Sequence, residues 1–211
     1  VVTEEADFAG KQLRIGHGQL ASLTEEVMKI GCRPLLVLDP NVASASAAVE
    51  TAISNLTTAS LTCQVFDQIE PNPRVETKSA GAEVCRAHDT DVVVAIGGGS
   101  TLDSAKAIAA VAVHGGSIWE YVGDDLVPGP ITPLVTVPTT AGTGSETTPF
   151  AVFTRAESRR KDGIYSPFFF PQLSILDAEV YRTLPPRLSA ETGMDALAHA
   201  VEGLTAQAKN P

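Results

Sequence analysis

The chain has 211 residues, 44% of them hydrophobic, with a formal net charge of −10 and a pI near 4.8. That suffices for one good-sized α/β domain, or for one domain and the beginning of another, around a real core. The charge argues against a nucleic-acid or anionic-membrane partner, which would need a basic patch that no stretch supplies, and no apolar run approaches the ~18 residues of a membrane span.

The N-terminal "VVTEEADFAG" is acidic and has neither the basic start nor the apolar core of a targeting peptide. Helical spacing then begins in "LASLTEEVMKI" at 20–30, and the run "PLLVLD" at 34–39 reads as a strand. The alternation continues: helix in "ASAAVETAISNL" at 45–56, strand in "SLTCQVF" at 60–66, helix in "RVETKSAGAEVCRAH" at 74–88, strand in "DVVVAI" at 91–96. A helix in "TLDSAKAIAAVAVH" at 101–114 and a strand in "PLVTVP" at 133–138 follow. Strands of continuous apolar character alternating with helices predict an α/β fold with an open parallel sheet buried on both faces, a nucleotide-binding architecture.

Beyond about residue 150 the texture shifts to shorter β-like pieces, "FAVFT" and "PQLSILD", with the charged "RAESRRKDG" between them as a solvated hairpin connection. The Pro185–Pro186 pair breaks structure, and Ser189 followed by Thr192 stands at the start of a long Ala-rich helix over 188–208. A domain boundary is therefore placed near 185. A helix of that length cannot bury its own apolar face, so the chain reads as cut short. Three cysteines, Cys32, Cys63 and Cys85, widely spaced and without a CxxC pair, suggest neither a disulfide framework nor a thiolate zinc site, and fit a reducing cytoplasm.

Five places carry candidate chemistry. "AIGGGSTLDSAK" at 95–106 follows a strand and opens a helix, so Gly97, Gly98 and Gly99 let backbone approach a ligand where free N–H groups favour phosphate. Ser100 and Asp103 also have capping-box spacing, and a ligand-free glycine-rich turn has the same appearance. "TVPTTAGTGSE" at 136–146 sets Thr139, Thr140, Thr143 and Ser145 around two glycines after another strand; it suits either a pyrophosphate or nicotinamide cover or an ordinary loop. Asp39 ends its strand where a carboxylate accepts ribose hydroxyls and repels a 2′-phosphate, although a turn Asp before Pro40 looks no different, and Asn72 in "EPNP" shares that ambiguity. In "GMDALAHAVEG", Asp195 and His199 are four apart and share a helix face, so they are either two ligands for one metal ion or a surface carboxylate and a packed histidine. His17 in a turn, and His88 and His114 at helix ends, have structural explanations.

Taken in order, "GGGSTLDSAK", "TTAGTGSE" and "GMDALAHAVEG" make the chain from about residue 11 onward closely resemble the N-terminal half of the iron-containing (group III) alcohol dehydrogenase family. The resemblance implies a dinucleotide-binding α/β domain over 1–185 and, over 186–211, the first helix of a truncated all-helical metal-binding domain. It implies NAD as cofactor, contacted by Asp39, Asn72, Gly97, Gly98, Gly99, Ser100, Asp103, Thr139, Thr140, Thr143, Ser145, Val152 and Lys161. It implies Asp195 and His199 as ligands of iron(II) or zinc, completed by two further histidines after Pro211. The activity implied is interconversion of an alcohol and its aldehyde or ketone by hydride transfer, in a cytoplasmic homo-oligomer, a dimer. A truncated nucleotide-binding fragment without activity is the alternative, as is a glycerol dehydrogenase-like, maleylacetate reductase-like or dehydroquinate synthase-like relative; the DxxxH spacing with "TTAGTGSE" favours the alcohol dehydrogenase branch.

Overall fold

A computed structural model describes residues 4–8, 11–42, 46–59, 62–69, 75–154 and 160–206, with side chains left aside for 4–8, 75 and 76. Ten strands are present among these residues: β1 (Glu4–Phe8), β2 (Lys11–Gly16), β3 (Pro34–Leu38), β4 (Gln64–Phe66), β5 (Val92–Gly97), β6 (Gly123–Asp124), β7 (Leu134–Pro138), β8 (Phe150–Thr154), β9 (Lys161–Tyr165) and β10 (Leu173–Asp177). The α-helices are α1 (Leu23–Ile30), α2 (Ala47–Ala59), α3 (Val75–Ala87), α4 (Gly99–His114), the single turn α5 (Ala178–Tyr181) and α6 (Pro186–Thr205).

The main sheet runs β1-β2-β10-β7-β5-β3-β4, with β1 antiparallel to β2 and every other neighbour parallel. This is the open α/β sheet that the strand–helix alternation predicts. The apolar runs are continuous because successive side chains of a strand bury on opposite faces. Val92, Val94 and Ile96 of β5 enter a core with α1 and α2, through Leu23, Val27, Val49 and Leu56. Val93 and Ala95 enter the other core, with Phe66, Cys85, Leu102 and Ile108.

Chain order sets the location of the site. From β3 the chain passes outward to β4, then returns to β5 on the opposite side of β3 and proceeds to β7, so the connections diverge between β3 and β5. Paired Leu38 with Ile96, and Gly97 with Pro138, bring the carboxyl ends of β3, β5 and β7 level, opening a crevice at that point.

Helix α4 is exceptional because it lies between two sheets. Its outer side meets a small sheet, β6-β9-β8, in a third cluster that joins Ala107, Ala110 and Val111 to Ala151, Phe153 and Ile164. A helix enclosed on both sides needs small side chains for close approach, which the "AKAIAAVAV" composition provides.

"FAVFT" does not pair with "PQLSILD"; β8 pairs antiparallel with β9, "KDGIY", while β10 joins the main sheet between β2 and β7. The N-cap of α4 is Gly98, so Ser100 and Asp103 form no capping box. The final helix starts at Pro186, before Ser189, because Pro at the first position needs no N–H partner. No residue of α6 is buried, and Met194, Leu197, Val201 and Leu204 are exposed. No described helix is long and apolar enough to cross a membrane.

Candidate active site

The glycine turn sits directly above the end of β5. A Cβ on Gly97 would strike Thr101, one on Gly98 would stand 3.3 Å from Thr140 Oγ1, and one on Gly99 would lie 2.8 Å from the Thr143 methyl. Glycine at 99 thus lets the helix start touch the second loop. Thr139 N donates to Gly97 O at 3.0 Å, which ties the two loops at their base. The first amides of a helix lack an i−4 acceptor; in α4 Thr101 N turns back to Gly98 O at 2.9 Å, while Gly99 and Ser100 line a cleft at the positive end of the helix dipole.

Two clefts flank this glycine step. One, of about 360 Å³, includes Asp39, Asn41, Val49, Gly98, Thr139 and Thr140 in its wall, closed by Leu184, Pro185 and Leu188. Asp39 holds its own turn, since its Oδ1 accepts from Asn41 N at 2.8 Å and Asn41 Nδ2 at 3.0 Å, and it lines the cleft as well. The turn reading of Asp39 is thus observed directly, and its place in the cleft wall leaves it within reach of a ligand there. The other cleft, of about 370 Å³, is bounded by Gly99, Ser100, Asp103, Thr143, Ser145, Phe150, Val152 and Lys161, with Asp195 and His199 opposite. The structure thus brings the predicted residues together around the Gly98–Gly99 step. Asn72 lies outside the described residues.

Asp103 and Ser145 line the cleft and also tie its wall to α4. Ser145 Oγ donates to Asp103 Oδ1 at 2.6 Å, and Val152 N donates to Asp103 Oδ2 at 2.9 Å. Burial pushes the Asp103 carboxyl up, against the Lys106 ammonium, the Ser145 hydroxyl and the Val152 amide, which hold it down. Lys106, one turn along α4, is fully buried, and burial lowers its ammonium to about 8. The sequence signal for it was a lone lysine inside a run of alanine and valine.

Asp195 and His199 occupy one face of α6, Oδ1 and Nε2 3.9 Å apart, with side chains 45% and 51% exposed. Two donors at that separation reach one ion at ordinary ligand distances of ~2.0–2.2 Å. His199 Nδ1 lies 3.0 Å from Gly142 O. A carbonyl only accepts, so the proton sits on Nδ1 and the lone pair on Nε2, on the Asp195 side; a backbone carbonyl in this role is a usual outer support for a metal-binding histidine. The donor set fits a divalent ion, and the described residues contain no group of three such ligands.

Gly142 is the contact between the second loop and α6. Its φ is 150°, and a Cβ there would overlap the Thr192 carbonyl. Gly142→Ala is expected to push α6 away and misplace the carbonyl that orients His199, weakening metal binding by about 10- to 100-fold. A chelator-competition titration measures this, and unchanged metal affinity would remove Gly142 from the site.

The sequence profile of the iron-containing alcohol dehydrogenase family matches residues 10–178. A choline dehydrogenase of Bacillus subtilis (strain 168) is 39% identical over 94% of this chain and 50% of its own length. An NAD-dependent methanol dehydrogenase of Bacillus methanolicus is 35% identical, over 93% of this chain and 52% of its own. The crystal structure of sulfoacetaldehyde reductase from Bifidobacterium kashiwanohense in complex with NAD+ superposes with a TM-score of 0.83 at 31% identity, covering 100% of this chain and 55% of that one. The chain spans about half the length of the curated relatives it matches. By this match and this fold, the chain belongs to the iron-containing alcohol dehydrogenase family.

Proposed function

We propose that residues 1–185 bind NAD across the two clefts and that residues 186–211 begin a helical metal-binding domain, together serving a metal-dependent alcohol dehydrogenase. The observation that carries this reading is the Asp195–His199 pair facing the same cleft as the first turn of α4. When bound, NAD supplies the hydride acceptor and a divalent ion, iron(II) or zinc, supplies Lewis acidity toward the alcohol oxygen.

The chain's own residues have distinct tasks. The amides of Gly99 and Ser100 take the pyrophosphate, Asp39 the adenosine ribose, and Thr139, Thr140 and Thr143 close over the middle of the dinucleotide. Val152 and Lys161 face the cofactor from the second cleft, Asp103 and Ser145 support its wall from beneath, and Phe150 shields it from water. Asp195 and neutral His199 hold the ion. Asn72 retains the cofactor role that the family resemblance gives it.

Short alcohols and their aldehydes are the substrate class, supported by the methanol- and choline-acting relatives. A cytoplasmic setting is supported by three free cysteines, and a homodimer is what the family resemblance implies. The test is NAD reduction by purified protein supplied with iron(II) or zinc and a panel of short primary alcohols. Turnover requiring both metal and NAD is expected; metal occupancy and NAD binding without turnover on any alcohol would rule the activity out.

Cofactor choice gives a separate check. Asp39→Asn keeps the acceptor for the Asn41 amide but removes the charge that repels a 2′-phosphate. The ratio of kcat/KM for NADP to that for NAD is expected to rise by about tenfold or more. An unchanged ratio would take Asp39 out of cofactor selection.

A further inference from the structure

A lysine inside a helix enclosed by two sheets is expensive, because an ammonium leaves water for a low-dielectric interior. Methionine or leucine would fill the same volume without that penalty. What the ammonium does here is visible in its partners. Lys106 Nζ donates to Phe150 O at 2.6 Å, Ser145 O at 2.7 Å and Thr148 O at 3.1 Å, with Ser145 Oγ at 3.0 Å. Ser145 Oγ in turn donates a hydrogen bond to Asp103 Oδ1, and that carboxylate lies 3.9 Å from the ammonium.

Three backbone carbonyls of one irregular segment thus converge on a single cation. The opposite side of that segment carries Ser145, Thr148 and Phe150, which form the wall of the cleft facing Gly99 and His199. Asp103 holds the next part of the wall through Val152 N. A turn of α4 therefore grips the wall from beneath while its first turn forms the floor.

We propose that Lys106 is a positioning residue for cofactor binding: by gathering the carbonyls of 145, 148 and 150 it sets the width of the cleft between the wall and the start of α4. This role rests on the dinucleotide reading above. It requires the ammonium, since a neutral amine has two N–H groups and would turn a lone pair toward a carbonyl. The charged groups around it are Asp103 on α4 and Glu146 in the gripped segment, both favouring the ammonium, and Lys78 on α3, which acts on Asp103. Burial opposes them and brings its titration to about 8.

The experiment is calorimetric titration of purified protein with NAD from pH 6.5 to 9.5, for wild type, Lys106→Met and Asp103→Asn, with thermal melting of each variant. Wild-type affinity is expected to fall as pH rises through about 8. Lys106→Met should bind about tenfold or more weakly at neutral pH and lose that pH dependence, since it has no proton to release. Asp103→Asn removes a charge that favours the ammonium and should move the fall about one pH unit lower. A Lys106→Met protein with a lowered melting temperature but wild-type affinity and pH profile would overturn the role, leaving Lys106 as part of the core only. If that variant does not fold, Asp103→Asn decides: a shifted midpoint supports the role, an unshifted one overturns it. Wild-type protein with no NAD affinity overturns the dinucleotide reading and this role with it, a result distinct from wild-type binding that Lys106→Met leaves unaltered.

Discussion

Replacing His199 with alanine is expected to remove the bound metal and lower kcat/KM for the alcohol by about a thousandfold or more, while NAD affinity changes by less than about twofold. The size follows from the chemistry: a Lewis acid contributes several kcal/mol at the reacting oxygen, and each 1.36 kcal/mol is tenfold in rate. The selectivity follows from position. His199 touches the second loop through the Gly142 carbonyl and faces the cleft, but it stands apart from Asp39, Gly98 and Thr140 in the other cleft. Elemental analysis and steady-state kinetics on the same preparation check both parts. Full metal occupancy in the variant would withdraw the ligand assignment, and loss of metal without loss of turnover would withdraw the metal from the chemistry.

Gly99→Val is expected to weaken NAD binding by about a hundredfold, which is about 3 kcal/mol, with the metal retained. A Cβ at 99 would stand 2.8–3.1 Å from three atoms of the Thr143 side chain, and two further methyls would crowd the cleft that Gly99 lines. Overpacking of this kind costs about 1–3 kcal/mol, and here it falls on the proposed phosphate site. Gly98→Ala is the internal comparison. Gly98 has φ −75° and ψ −179°, ordinary extended backbone, and its Cβ would only approach Thr140 Oγ1 at 3.3 Å, so the loss should be smaller. Equal losses at both positions would mean that flexibility of the turn, rather than the space above α4, is what NAD requires.

Legibility in the sequence tracks how local each signal is. Strands β3, β5 and β7 were readable because both their faces are buried, so the apolar run is continuous and needs no partner to interpret it. Strand β9 was not: "KDGIY" alternates exposed and buried residues, starts with two charges, and gains its meaning only from pairing with β8. Strand β1 was hidden for a similar reason, since "EEADF" is an acidic strand whose one neighbour among the described residues is β2. In the site, the glycine turn and the i, i+4 Asp–His pair are patterns within one segment and were visible. The Gly142 carbonyl behind His199 was not, because the two residues are 57 apart and meet only when α6 lies against the second loop. Nor was the grip of Lys106 on three carbonyls, since backbone acceptors leave no trace in residue identity.

The enclosure of α4 has a consequence for how substitutions at its positions should be tolerated. An ordinary amphipathic helix has a permissive side, and α1, with Glu25 and Met28 exposed, has one. On α4 the residues Ala105, Ala107, Ala109 and Ala110 are all fully buried, two of them facing the main sheet and two facing the small one. An added methylene therefore meets packed atoms whichever way it points. A saturation scan of this helix should show an unbroken band of intolerance from Leu102 to Val111 in place of the usual three-to-four-residue rhythm. Lineages of this protein would then diversify around a helix that itself scarcely drifts.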